Sequence, residues 1–252
     1  LQLEALLTKL RREFDFSSVR EFTVEAGRAD TIDEDKLRAI KAGGVNRISI
    51  NPQTMDDNVL RAAGRSHTTE QVEKAFEIAR QVGFDVINAD LIAGLPTDTP
   101  EGFRRSLGRL LSLRPENVTV HTLALKKGSK LSEGGFLPSE EDVRAMLETS
   151  EKLLRAADYG PYYLYRQKFT AGNFENLGWC LPGTESLYNI CIMEELHTII
   201  SLGGGGVTKL VAPKCGRIER IFNAKYPYEY INAIQKEIEA KEYLKTFLNR
   251  YE

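Results

Sequence analysis

The first half of the chain repeats one pattern, in which a run of β-forming residues is followed by a run with helical spacing. The strand candidates are Glu21–Ala26, Arg47–Asn51, Phe84–Ile92 and Asn117–Leu123. The helix candidates are Asp33–Lys41, Asp56–Ala63, Thr69–Val82 and Pro100–Leu113. Because strands joined through helices run parallel, their carboxyl ends share one rim. In α/β folds, ligands bind at that rim.

The pattern changes after about residue 135. A helix, two strands and a second helix are predicted there, at Ser139–Asp158, His197–Leu202, Gly216–Phe222 and Glu229–Leu248. Four parallel strands are too few to close an eight-stranded barrel. We therefore expect an α/β chain in which residues 1–135 form a truncated partial (β/α) barrel and residues 136–252 form a smaller α+β unit.

Composition excludes several classes of partner. A net charge of -2 and a pI near 6.1 create no field that would attract nucleic acid. No apolar run approaches the roughly 18 residues that a membrane helix needs. The cysteines, Cys180, Cys191 and Cys215, match no tight metal or redox spacing. We therefore expect a cytoplasmic protein without a nucleic-acid or membrane partner.

Polar side chains stand where the predicted strands end. Glu25 ends the first strand, Gln53 follows the second and Asp90 lies late in the third. Carboxylates on one rim suit a polyhydroxylated ligand, because each accepts hydrogen bonds from two hydroxyl groups. Arg65, in the connection after the second strand, could pair with a ligand carboxylate. Ordinary polar strand ends and a solvated arginine are the competing interpretation.

Other sequence features carry weaker signals. His67, His121 and His197 are scattered, so we expect structural roles for them. The segment Tyr162–Lys168 mixes tyrosines with two cations, as in a nucleic-acid face, a pocket for a flat acidic ligand, or a core with incidental charges. The run Gly203–Gly206 lacks the residues of a phosphate-binding motif, which favours a bulge or a close backbone approach.

Four segments together resemble one enzyme family. They read EFTVEAGRAD, RISINPQTMDD, GRSHT and FDVINADLIAGLPTDTPEGF. They are similar to the middle of the oxygen-independent coproporphyrinogen III oxidases, a group of radical S-adenosylmethionine (SAM) enzymes. The most specific element has the form D-L-I-x-G-L-P-x-x-T-P. The resemblance covers residues 1–125 closely, and YYLYRQK, GNFENLGW and LYNICIMEE extend it toward the dehydrogenase branch of the family.

The resemblance implies a fold, a reaction and a set of cofactor contacts. Such enzymes bind SAM across a partial (β/α)6 barrel and cleave it reductively with a [4Fe-4S] cluster held by an N-terminal C-x-x-x-C-x-x-C loop. The resulting radical takes a hydrogen atom from a propionate, which then loses carbon dioxide and one electron, passed to an electron acceptor, and becomes a vinyl group. By position, the implied SAM contacts are Glu25, Gln53, Arg65, Asp90 and the backbone at Ala124.

The cluster motif does not occur in this sequence, and the three cysteines lack the spacing to replace it. We therefore expect a truncated core with four of six barrel strands, no catalytic or metal-binding residues of its own, and no turnover by this chain alone. The [4Fe-4S] cluster is expected only in a full-length protein. The implied partners are an electron-donor protein and a tetrapyrrole, which Arg166 and Lys168 could contact.

Two other functions compete with an oxidase. One is a non-catalytic haem or tetrapyrrole carrier of the same superfamily. The other is an unrelated barrel-type protein that binds a sugar phosphate, for which Gly203–Gly206 is the candidate loop.

Overall fold

Among residues 2–125 and 130–251, which a computed structural model describes apart from the side chains of Lys130 and Ser132, six strands form one sheet and two form a hairpin. The sheet contains β1 (Thr23–Gly27), β2 (Arg47–Ile50), β3 (Val86–Ala93), β4 (Asn117–Thr122), β5 (Gly160–Arg166) and β6 (Glu175–Cys180). The hairpin contains β7 (Val207–Ala212) and β8 (Arg217–Phe222).

The helices alternate with the first strands, as the sequence pattern predicts. They are α1 (Gln2–Glu13), α2 (Glu34–Ala42), α3 (Asp57–Ala62), α4 (Thr69–Val82), α5 (Pro100–Ser112), α6 (Lys130–Glu133), α7 (Glu140–Ala156), α8 (Leu187–Met193), α9 (Pro227–Asn232) and α10 (Ile234–Tyr251). Local capping sets their ends. Thr68 and Gln71 form a capping box at the start of α4, and Gly83 ends that helix with a φ of 91°.

The sheet confirms the predicted α/β class. Its strand order is β1-β2-β3-β4-β6-β5, and β1 to β4 are parallel. The two remaining strands are antiparallel, β6 to β4 and β5 to β6. Within the described residues the sheet ends at β1 and β5, so it is an open sheet and not a closed barrel.

The two faces of this sheet differ in chemistry because side chains alternate along each strand. On β3, Ile87, Ala89 and Leu91 are fully buried in the main hydrophobic core. The intervening Asn88 and Asp90 are half-buried on the other face. That second face is called the polar face here. It is the surface on which ligand-binding groups can converge.

Residues Leu1–Ser186 and Leu187–Glu252 form two compact units. The boundary therefore differs from the one predicted between residues 135 and 136. The reason is β-pairing: β6 aligns with β4, Thr119 facing Gly178, and this brings the aromatic stretch into the first sheet. In the second unit, Phe247 of α10 is fully buried and packs with Leu210 and Ala212 of β7.

The second unit departs from the prediction at two places. His197–Leu202 is not a strand, and only Ile199 makes an isolated bridge, with Lys209. The predicted helix Glu229–Leu248 is two helices, α9 and α10, because the chain leaves helical geometry at Ala233. None of the described helices is both long enough and apolar enough to cross a bilayer.

Candidate functional site

A row of hydrogen-bonded side chains crosses the polar face from β1 to β3. Asn51 Nδ2 donates to Glu25 Oε2 over 3.4 Å, and Ser49 Oγ donates to Asn51 Oδ1 over 2.6 Å. Asn88 Nδ2 donates both to Ser49 Oγ, over 3.0 Å, and to Asp90 Oδ1, over 2.9 Å. The structure therefore brings two of the predicted site residues, Glu25 and Asp90, onto one surface.

The row continues beyond Asp90 to His121, for which the sequence predicts a structural role, and to Tyr165 of the segment Tyr162–Lys168. His121 Nε2 lies 3.4 Å from Asp90 Oδ2, and His121 Nδ1 lies 2.7 Å from the hydroxyl oxygen of Tyr165. Burial, and then the negative charge of Asp90, raise the pKa of Tyr165 to about 12, so its hydroxyl stays protonated. The next tyrosine on β5, Tyr163, bonds to Thr119 instead, over 3.1 Å.

The surroundings of the Glu25 carboxyl disfavour its ionised form. The residue as a whole is exposed, while its carboxyl lies against neighbouring strands closely enough to lose part of its hydration. Burial, and then the negative charge of Asp90, raise its pKa above the ordinary glutamate value. Hydrogen bonds from Ser49 and Asn51 oppose that shift. A ligand that brings positive charge or hydroxyl donors between these two carboxylates would be favoured there.

Gln53 is fixed by its backbone to the strand that carries Asp90. Its N–H donates to the Asp90 carbonyl over 2.9 Å, and its carbonyl accepts from the Ile92 N–H over 2.9 Å. Its φ of 68° lies in the left-handed region, which non-glycine residues seldom adopt. Buried His67 holds the preceding turn, because its Nε2 lies 3.1 Å from the Pro52 carbonyl oxygen. Gln53 thus lies just beyond the end of β2 and next to Asp90 of β3.

Arg65 lies in a connection whose next two residues contact the segments that follow β1 and β2. Ser66, which follows it, donates to Asp30 over 3.0 Å, just beyond the end of β1. His67 contacts Pro52, just beyond the end of β2. The Arg65 side chain is exposed and makes no hydrogen bond or ion pair with any described residue. A guanidinium in this position is free to pair with a ligand anion.

Ala124 lies two residues beyond the end of β4, on the same rim. It forms an isolated antiparallel bridge with Thr170 and is half-buried. The Leu123 N–H donates to the Ala93 carbonyl over 2.9 Å, which extends the pairing of β4 with β3. Gln53 and Ala124 therefore lie just beyond the carboxyl ends of parallel strands, and Arg65 lies in a connection attached there. Glu25 and Asp90 lie within β1 and β3, on the polar face, and not at the strand ends where the sequence predicted them.

The specific D-L-I-x-G-L-P-x-x-T-P element has mostly structural roles after Asp90. Gly94 has a φ of 87°, and a Cβ there would lie 2.8 Å from Val143 Cγ2 of α7. Thr99 Oγ1 accepts from the Gly102 N–H over 3.0 Å and so caps α5. The motif therefore fixes the turn that leaves β3 and positions its neighbouring helices.

The structure does not bring the other candidates to the rim. Arg166 pairs with Glu175 over 2.7 Å. Because successive residues of a strand face opposite ways, Arg166 lies on the other face of the sheet from Tyr165. In the second unit, the N–H groups of Gly203, Gly205 and Gly206 all donate to protein oxygens, which disfavours a phosphate loop.

The polar face fits the nucleoside and amino-acid parts of SAM. It offers two carboxylates for hydroxyl or ammonium donors, and Asn88 Oδ1 is buried without a partner in the described structure. The cysteines do not fit a [4Fe-4S] cluster. Cys180 is buried, with its pKa raised to about 11 first by burial, whereas Cys191 and Cys215 belong to the other unit. Within the described ranges no group of three or more His, Cys, Asp or Glu residues could hold a metal ion.

Residues 2–110 match the profile of the radical SAM superfamily. The chain is 42% identical over 233 residues to the oxygen-independent coproporphyrinogen-III oxidase-like protein HemZ of Bacillus subtilis, a match that covers 91% of the chain and 46% of HemZ. It is 34% identical over 211 residues to the heme chaperone HemW of Lactococcus lactis, covering 81% of the chain and 52% of HemW. The chain thus spans about half the length of these curated relatives.

A solved structure shares the fold. Coproporphyrinogen III oxidase (HemN) from Escherichia coli, described as a radical SAM enzyme, superimposes with a TM-score of 0.71 at 21% identity. The match covers 93% of this chain and 53% of HemN. At this identity the likeness concerns the arrangement of helices and strands. It shows that the parallel sheet has the arrangement of the (β/α) core of HemN.

Proposed function

This chain carries a radical SAM domain, and on that premise we propose that its rim binds SAM within a coproporphyrinogen oxidase-like protein. When bound, SAM supplies the 5′-deoxyadenosyl group for hydrogen-atom abstraction. The observation that carries the proposal is the convergence of Glu25 of β1 and Asp90 of β3 on the polar face, with Gln53, just beyond β2, hydrogen-bonded through its backbone to β3 beside Asp90.

Each of these residues suits a different part of the SAM molecule. Asp90 has an unused lone pair on each carboxylate oxygen, which suits the two ribose hydroxyls. The unpaired guanidinium of Arg65 suits the carboxylate of the methionine part. Glu25 suits a positively charged group, because such a neighbour would favour its ionised form. The backbone at Ala124 borders the adenosine.

We propose that the residues for the iron–sulfur cluster lie in a longer protein that includes this chain. The support is that the curated relatives are about twice as long and that the three cysteines do not fit a cluster site. On this proposal the chain alone binds ligand without turning it over. An electron-donor protein is part of the same proposal.

The second candidate function is a non-catalytic haem or tetrapyrrole carrier. It is favoured by the matches to heme chaperones, at 34% and 30% identity. The oxidase-like protein is the first choice because its identity to this chain, 42%, is higher. In both cases the partner would be a tetrapyrrole with acidic side groups. Lys168, exposed and unpaired among the described residues, is a better contact for those groups than Arg166, which Glu175 already neutralises.

The test uses the full-length protein, reconstituted with iron and sulfide without oxygen and supplied with SAM and a reductant. We expect chromatography to show 5′-deoxyadenosine, and coproporphyrinogen to be converted into a product with vinyl groups. Release of 5′-deoxyadenosine without that product, together with tight haem retention, would favour the carrier. Failure to form 5′-deoxyadenosine would contradict a radical SAM activity.

A further inference from the structure

His121 and Tyr165 lie next to the proposed ribose contact but are not among the five SAM contacts that the resemblance implies. His121 is half-buried, between the Asp90 carboxylate and the Tyr165 hydroxyl. A histidine placed in this way acts through its neighbours, because both ring nitrogens already face protein groups.

The two contacts of His121 restrict its protonation. An ionised carboxylate only accepts hydrogen bonds, so the ring nitrogen that faces Asp90, Nε2, must carry a proton to bind it. In a neutral ring the other nitrogen, Nδ1, is then an acceptor. The Tyr165 hydroxyl, 2.7 Å away, is the donor to that nitrogen. Its raised pKa keeps the hydroxyl proton in place.

Both carboxylate oxygens of Asp90 consequently have a polar neighbour. Asn88 Nδ2 donates to Oδ1 over 2.9 Å, and His121 Nε2 faces Oδ2 at 3.4 Å. Each carboxylate oxygen keeps a free lone pair. One hydrogen bond and one close polar contact therefore favour a single orientation of the carboxylate plane before a ligand arrives, so less rotation of Asp90 has to be frozen when ribose binds.

We propose that His121 and Tyr165 are positioning residues for Asp90, Tyr165 selecting the Nε2-protonated form of His121 and His121 orienting the carboxylate toward two adjacent ribose hydroxyls. This inference rests on the proposed function for the role of Asp90. It extends that function by stating what makes the site selective for a ribose that carries both hydroxyls.

Tyr163 provides a matched control on the same strand. It is two residues from Tyr165, faces the same way and stacks with it at 6.3 Å, but its hydroxyl bonds to Thr119 and not to His121. Tyr163→Phe and Tyr165→Phe each remove one tyrosine hydroxyl group from the same strand. Only Tyr165→Phe removes the donor to His121 Nδ1.

The first measurement is a ¹⁵N NMR spectrum of the imidazole groups at about pH 8, above the usual histidine pKa. The chain has three histidines, and the signals of His121 are those lost in His121→Gln. We expect a neutral ring with the proton on Nε2 in the wild type and in Tyr163→Phe, and a mixture of the two neutral forms in Tyr165→Phe. A proton on Nδ1 in the wild type, or an unchanged spectrum in Tyr165→Phe, would overturn the inference.

The second measurement is the Kd of S-adenosylhomocysteine and of its 2′,3′-dideoxy analogue. We expect Tyr165→Phe to weaken the first ligand by about 5-fold and His121→Gln by about 10-fold, the effect of losing one polar interaction that orients Asp90. The dideoxy analogue should bind both variants and the wild type with the same Kd, and Tyr163→Phe should match the wild type throughout. An equal loss for both ligands would indicate a merely structural role and overturn the inference. A wild type that binds neither ligand would instead contradict the proposed function, while the NMR result would still decide how His121 is protonated.

Discussion

At the scale of single residues, a buried polar atom without a hydrogen-bond partner lowers the stability of the fold. Asp98, in the turn after β3, has one carboxylate oxygen, Oδ2, that is buried without a partner. Its other oxygen accepts from the Thr99 N–H over 2.9 Å. Burial first, and then the charge of Asp56, raise the pKa of Asp98 from 3.8 to about 6. The ionised form of this residue therefore destabilises the fold.

The pH dependence of stability should reveal this residue. Because the folded pKa lies above the unfolded one, the stabilisation is fully present below about pH 4 and is lost as the pH rises through 6. Asp98→Asn should remove this contribution, which is on the order of 2 kcal/mol between pH 4 and pH 7. Urea unfolding of both proteins across that range measures it. Parallel curves for the two proteins would show that Asp98 is not responsible.

Sequence could suggest a shared polar surface where polar residues follow one predicted strand, as for Glu25, Gln53 and Asp90, but not where two distant strands have to meet. His121 and Tyr165 contact each other only because β4, β6 and β5 pair, across 44 positions of sequence. The alternation of polar residues at Asn117, Thr119 and His121 was the available signal for a polar strand face.

At the scale of elements, close approach of the turn after β3 to α7 requires a particular glycine. A Cβ on Gly94 would lie 2.8 Å from Val143 Cγ2 and 3.1 Å from Pro138 Cβ, and its φ of 87° disfavours any side chain. A methyl group at this position would therefore strain the backbone and crowd the neighbouring side chains. Since β3 carries Asp90, this turn also holds the site in place.

We expect Gly94→Ala to lower the free energy of unfolding by about 2 to 3 kcal/mol. Gly108→Ala is the control, because Gly108 is exposed within α5 and a Cβ there would have nothing within 4 Å. That change should raise the free energy of unfolding by about 0.5 to 1 kcal/mol, since alanine is the better helix former. Urea unfolding of the two variants gives both values. Equal effects of the two substitutions would contradict the proposed packing of α7.

The element pattern of the first half was predictable because each strand–helix unit is local. Helix α4 begins and ends at the predicted residues, and caps explain why. Strands β5 and β6 were not predicted as strands. The tyrosines of β5 read as a binding or core segment, and its antiparallel pairing with β6, which joins it to the sheet, is a non-local contact.

At the scale of the whole molecule, the chain forms two compact units. The residues proposed to bind SAM all lie in the first unit. Periodicity predicted two units but not where they divide. The boundary depends on which strands join the sheet, and that is decided by tertiary pairing at residues 160–180. The likeness of this unit to a radical SAM core makes ligand binding at its rim the central claim.

The most direct measurement is isothermal titration of the chain with S-adenosylhomocysteine, using two aspartates of one strand region. Asp90 faces the proposed ribose, whereas Asp85 is exposed at the opposite, amino end of β3. We predict that the wild type binds, that Asp90→Asn binds at least about 10-fold more weakly, and that Asp85→Asn matches the wild type. A chain that does not bind, or equal affinities for the two variants, would contradict the account.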